Sequence, residues 1–148
     1  MTSADLVRAL WERIEARDWS GARALLADDM VCRWPHSDER FEGGDAFIAM
    51  NRAYPEGWRI TILDVAALPQ GAVSRIRVDQ AGQAFHAASF FTVRDDLVHE
   101  AIEYWVTAGS EEPPEWRVRF SRSRSGLCSS RRPQLRARSR GPFRITRV

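Results

Sequence analysis

The sequence predicts an α+β fold in which N-terminal helices pack against a curved, mainly antiparallel sheet. Three observations predict it. Apolar residues recur with a helical period in the first third of the chain, and strand-like runs then follow one another from Trp58 to Thr107. The links between those runs are very short, and parallel neighbours would need long crossovers. Helices first and a meander of strands afterwards is an α+β order.

Each element has its own signal. Thr2 and Asp5 fit a capping box, and Leu6, Leu10 and Ile14 recur four apart beside Val7 and Trp11, which predicts a first helix with one apolar face. Asp18 or Ser20 caps a short second helix carried through Leu25 and Leu26. Residues 30–34 read as a strand, stopped by Pro35. Gly43 and Gly44 open a third helix with Asp45 as its N-cap, and Pro55-Glu56-Gly57 ends it. On that helix Phe47, Met50, Asn51 and Tyr54 share one face, directed inward. Strands over 58–68, 72–79, 83–94 and 97–107 are separated by turns at Pro69-Gln70-Gly71, at Gly82 and at Asp95-Asp96. Pro113-Pro114 closes the domain near Trp116.

Charge divides the chain in two. Residues 1–116 hold 11 arginines against all 20 acids, a net of −9, whereas residues 117–148 hold the other 11 arginines and no acid. Thirteen of the fifteen aromatic residues lie in the first part, so the core-building material is there. The expected division is a domain over 1–118 and a disordered Arg/Ser-rich tail over 119–148. Such a tail would neutralise phosphates, but Phe120 and Phe143 are isolated and offer no platform for base stacking, so a nucleic-acid partner is not expected. Out-of-frame translation of GC-rich DNA would yield the same abrupt change to arginine, serine, proline and glycine.

Cys32 and Cys128 stand 96 positions apart, which fits a reduced, cytoplasmic protein better than a disulfide or metal site. No apolar run approaches the ~20 residues of a membrane span. His36, His86 and His99 lack the spacing of metal ligands, and the motifs of nucleotide and serine-hydrolase sites are missing, so no metal and no cofactor are expected.

A resemblance sharpens the picture. The segments ALWERIEARDWSGARALLADDMVCRWP, FIAMNRAYPEGW and FFTVRDDLVHEAIEYWVTAGSEEPPEWR resemble the SnoaL-like branch of the nuclear transport factor 2-like (NTF2-like) superfamily, over essentially residues 3–118. The resemblance implies a cone-shaped fold enclosing one deep pocket, and pairing of two copies through the outer face of the sheet. Its members include ketosteroid isomerases, polyketide cyclases, epoxide hydrolases and dehydratases, along with pocketed proteins of unknown activity, so the fold alone selects no reaction. Aligned on the LADD segment, Trp34 stands where ketosteroid isomerases carry their general-base aspartate; aligned on RDWSG, Leu10 stands in place of their oxyanion-binding tyrosine. Steroid isomerisation by that mechanism is not expected.

The candidate chemistry lies on the last two strands. If Asp95-Asp96 is a two-residue hairpin loop, an unbroken ladder pairs Thr92 with His99, Phe90 with Ala101, Ala88 with Glu103 and His86 with Trp105. That mixed face suits a pocket, while the opposite face, with Phe91, Ile102 and Tyr104, needs a second covering layer, which a homodimer would supply. Glu103 is the first candidate for catalysis, because the resemblance points this acid into the cavity and apolar surroundings favour its protonated form. His86, diagonally opposite, is its candidate partner; a structural hydrogen bond between the two strands is the competing reading. Trp34, Asn51, Tyr54, Trp58, Phe90 and Trp105 are the expected ligand contacts, with core filling or backbone capping as their alternative. His36 is placed at the pocket mouth, His99 at the rim, and Arg40 in a salt bridge near Glu39 or Glu42. The expectation is a small-molecule pocket, as a cofactor-independent isomerase, cyclase, dehydratase or hydrolase acting on an apolar oxygenated substrate, or as a noncatalytic ligand-binding or dimeric interaction module.

Overall fold

The structure, a computed structural model, describes residues 1–122. The tail from residue 123 onward, Cys128 included, lies outside the described residues.

Helix α1 (Ser3–Glu15) begins with the expected capping box: Thr2 accepts from the Asp5 backbone, and the Asp5 carboxylate accepts from the Thr2 backbone. Its buried face is Leu6, Val7, Leu10, Trp11 and Ile14. Helix α2 (Trp19–Arg23) is capped by Asp18, which accepts from the Gly21 N–H at 2.9 Å. It stops short of the expected Leu25 and Leu26. Leu26 instead opens β1 (Leu26–Trp34), where it pairs with Val98 and becomes buried. Tertiary pairing has overridden a weak helical preference.

Strand β2 (Glu39–Glu42) returns antiparallel beside β1. It had no sequence signal, being four residues long and largely charged. Helix α3 (Gly44–Ala53) has Gly43, not Asp45, as its N-cap: Gly43 sits at φ 96°, which favours glycine, and the Asp45 carboxylate turns to Arg23 at 2.7 Å. Four long strands follow, β3 (Trp58–Leu68), β4 (Gly71–Gln80), β5 (Gln83–Arg94) and β6 (Leu97–Thr107), before a short exposed helix α4 (Glu115–Val118).

The six strands form one sheet in the order β2-β1-β6-β5-β4-β3. Neighbours are antiparallel except β1 and β6, the second and third strands in that order, which run parallel. Helix α1 packs on β3 and β4, so the core lies between that helix and one face of the sheet. No helix among the described residues is long and apolar enough to cross a membrane.

The β5–β6 hairpin corrects the expected register. Asp95 and Asp96 both have φ near +55°, at 50° and 57°, and Arg94 faces Leu97 as expected. Val93 then pairs with Val98, but Thr92 pairs with Glu100, leaving His99 as one extra residue on β6. Beyond this bulge Ser89 is opposite Glu103 and Ala87 opposite Trp105. The inner face therefore combines Phe85, Ala87, Ser89 and Phe91 with Ala101, Glu103 and Trp105, all buried. His86, Ala88 and Phe90 lie on the outer face with Ile102, Tyr104 and Val106. A one-residue slip exchanges faces, and a bulge is such a slip built into one strand.

Candidate functional site

A cavity of about 370 Å³ opens between α1, the end of α3 and the inner face of the sheet. Helix α1 contributes Trp11 and Ile14; β1 and β2 contribute Trp34, Glu39 and Phe41; α3 and the turn after it contribute Met50, Asn51 and Tyr54. Trp58, Ile60, Val78 and Trp105 complete the sheet side. The alternation of β1 brings Trp34 inward, and the register after the His99 bulge does the same for Trp105. The helical spacing of Met50, Asn51 and Tyr54 places them along one wall, as expected.

Glu103 stands behind this wall and is not part of it. Its side chain is 1% exposed, and Oε2 accepts both the Trp34 Nε1–H at 2.9 Å and the Trp105 Nε1–H at 3.0 Å. The two indoles are 6.3 Å apart, crossed at 61°, so the carboxylate ties together two strands and two aromatic rings. Burial pushes the Glu103 carboxyl above the ordinary glutamate range, against the smaller opposing effect of the two indole hydrogen bonds. Oε1 has no partner among the described residues. Nor has the Ser89 hydroxyl directly across the ladder.

Ser89 in turn faces Ser74, whose hydroxyl accepts the Trp11 Nε1–H at 2.9 Å. The inner sheet face thus carries a buried polar row, Ser74, Ser89 and Glu103, crossed at both ends by indoles. Cys32, fully buried near Glu103, has its thiol pushed far upward by burial and by that acid, which disfavours the reactive thiolate.

The structure brings together five of the six expected ligand contacts and places Phe90, with the expected catalytic partner His86, elsewhere. Trp34, Asn51, Tyr54, Trp58 and Trp105 line the cavity. His86 and Phe90 do not: both lie on the outer face, and Phe90 is 45% exposed. The bulge is the reason, and it removes His86 from reach of Glu103. His36 stacks on Trp34 at 5.9 Å, with burial lowering its pKa. His99 is the bulge residue and faces Asp29 at 3.8 Å. Arg40 pairs with Glu42 at 2.7 Å.

The remaining polar groups of the cavity are few. Asn51 donates its amide to the Phe47 carbonyl at 2.9 Å, and the Tyr54 hydroxyl donates to Gln80. The Arg17 guanidinium lies 3.3 Å from the centre of the Trp58 ring, while the Trp58 Nε1–H is buried with no acceptor among the described residues. Trp11, Ile14 and Val78 were legible only as core, and Glu39 and Phe41 sit on the strand that had no signal.

Comparison with known proteins agrees with this architecture. A family model described as a SnoaL-like domain matches residues 7–101. A search of curated protein sequences finds no match. Among solved structures, a Kribbella flavida protein provisionally assigned as a ketosteroid isomerase aligns with TM-score 0.76 and 23% identity, covering 86% of this chain and 91% of its own. An NTF2-like protein of unknown function from Burkholderia xenovorans aligns with TM-score 0.66 and 19% identity, covering 82% and 94%. An epoxide hydrolase-like protein from M. tuberculosis aligns with TM-score 0.61 and 18% identity, covering 70% and 82%. At such identities the likeness shows the fold alone.

Proposed function

The chain belongs to the SnoaL-like domain family, within the NTF2-like superfamily, and from that premise we propose that it captures a small apolar molecule carrying an oxygen acceptor. The observation that carries this reading is the Trp58 indole: it lines the cavity, and its buried N–H has no acceptor among the described residues. A buried donor left unpaired is costly, and a ligand carbonyl or ether oxygen would relieve it. The aromatic and aliphatic lining supplies the rest of the affinity by burial. Trp58→Phe keeps an aromatic ring under Arg17 and removes the donor together with part of the indole's volume. In a thermal-shift screen of small ketones, that substitution is expected to weaken the best hit about fivefold to tenfold. Unchanged affinity would sink this reading.

A second reading has Glu103 in its favour. A carboxyl whose pKa is raised by burial is a candidate general acid, and in this reading the Trp34 and Trp105 indoles that stand between Glu103 and the cavity must part for it to reach a substrate. In that case Glu103→Gln abolishes turnover of whatever substrate is found and leaves its binding intact. Loss of binding and turnover together would assign Glu103 to holding the wall. In either reading the outer sheet face, with Phe90, Tyr104 and Val106 exposed, is covered by a second copy of the chain.

A further inference from the structure

The cavity is aromatic, and no positively charged side chain lines it. Its charged group is Glu39, at the end nearest solvent. The Glu39 backbone pairs with Trp34, but its carboxylate makes no hydrogen bond or ion pair among the described residues and lies near His36 only as a charge, whereas the neighbouring acid Glu42 is paired with Arg40. Asn51 gives one amide N–H to the Phe47 carbonyl, which leaves its Oδ1 and its second N–H on the same wall, beside the Trp58 N–H.

The walls themselves favour positive charge. The face of an aromatic ring attracts a cation, most strongly for tryptophan. Trp34 and Trp105 both give their N–H to a carboxyl oxygen of Glu103, and donation to an acid polarises the indole toward greater electron density on the ring. Phe41 closes on Trp34 edge-to-face at 4.9 Å, so aromatic surface is continuous from the buried end to Glu39. The protein already uses this chemistry at the cavity-lining Trp58, over which Arg17 lies. An anionic ligand would meet Glu39 at entry and find no compensating cation within.

We propose that the cavity is selective for organic cations: an amine, protonated or quaternary, held between the Trp34, Trp105 and Phe41 rings and the Glu39 carboxylate, with its apolar body deeper in the cavity. This rests on the pocket reading above and names the charge of its ligand; an oxygen on the same molecule would still answer Trp58.

The test is calorimetric titration of the full-length protein with three probes of like size: benzyltrimethylammonium, benzyl alcohol and phenylacetate. The ammonium is expected to bind about tenfold or more tightly than benzyl alcohol, with phenylacetate no tighter than the alcohol. Glu39→Gln, a change at an exposed position, is expected to lower ammonium affinity several-fold and to affect benzyl alcohol much less. Equal or tighter binding of benzyl alcohol or phenylacetate overturns the cation selectivity and leaves the pocket standing. Ammonium binding undiminished in Glu39→Gln overturns it as well. Absence of binding by all three probes overturns both the selectivity and the pocket reading.

Discussion

At the scale of single residues, Glu103 has the largest leverage. Its carboxyl is held above the ordinary range by burial, so the folded chain keeps a proton that the unfolded chain releases near pH 4.5. The contribution to stability is therefore fully present below about pH 4.5 and declines as pH rises toward the folded-state value. Urea midpoints measured from pH 4.5 to 8 are expected to fall less steeply for Glu103→Gln than for the native chain. Glu103→Leu acts differently, stranding two buried indole N–H groups at about 1–3 kcal/mol each. The burial of Glu103 on the inner face was legible through the resemblance, although its place behind the indoles and not in the cavity lining was not. The hydrogen bonds that hold it were not, since Trp34 lies 69 residues away in sequence and reaches it through a parallel pairing that no local pattern encodes.

Elements tell a similar story of period against register. Alternation and turn chemistry located the four long strands and the Asp95-Asp96 hairpin, because φ above zero suits aspartate and β-branched or aromatic residues suit pleated faces. Alternation could not reveal that His99 is an extra residue. The bulge has no composition of its own, and its effect is to send Ala101, Glu103 and Trp105 inward where an unbroken ladder would send Glu100, Ile102 and Tyr104. Deleting His99 leaves every pairing beyond it unchanged and regularises the ladder, so the variant is expected to fold, within about 1–2 kcal/mol of the native chain by chemical denaturation. Inserting one alanine between Glu100 and Ala101 reverses the faces instead. That chain is expected to lose its cooperative transition; a native-like melt would contradict the register argument.

For the whole molecule, the outer face is the open account. Phe90 and Tyr104 meet edge-to-face at 6.3 Å on that surface, and Val106 beside them is 50% exposed. If a second copy covers this face, Tyr104→Glu is expected to convert dimer to monomer in sedimentation velocity, with the cavity and its ligand binding retained. A native chain that sediments as a monomer at tens of micromolar would refute the pairing. The seam between β1 and β6 joins the β1–β2 pair to the rest of the sheet. β1 finds this second sheet partner some 70 residues later, so a ribosome must release nearly the entire domain before the sheet can close. Until then α1 can rest on β3 and β4, but the apolar residues of β1 and the free edge of β5 stay uncovered. Nascent chains stalled ahead of Leu97 should consequently be clients for holding chaperones, and those stalled well past Thr107 should not.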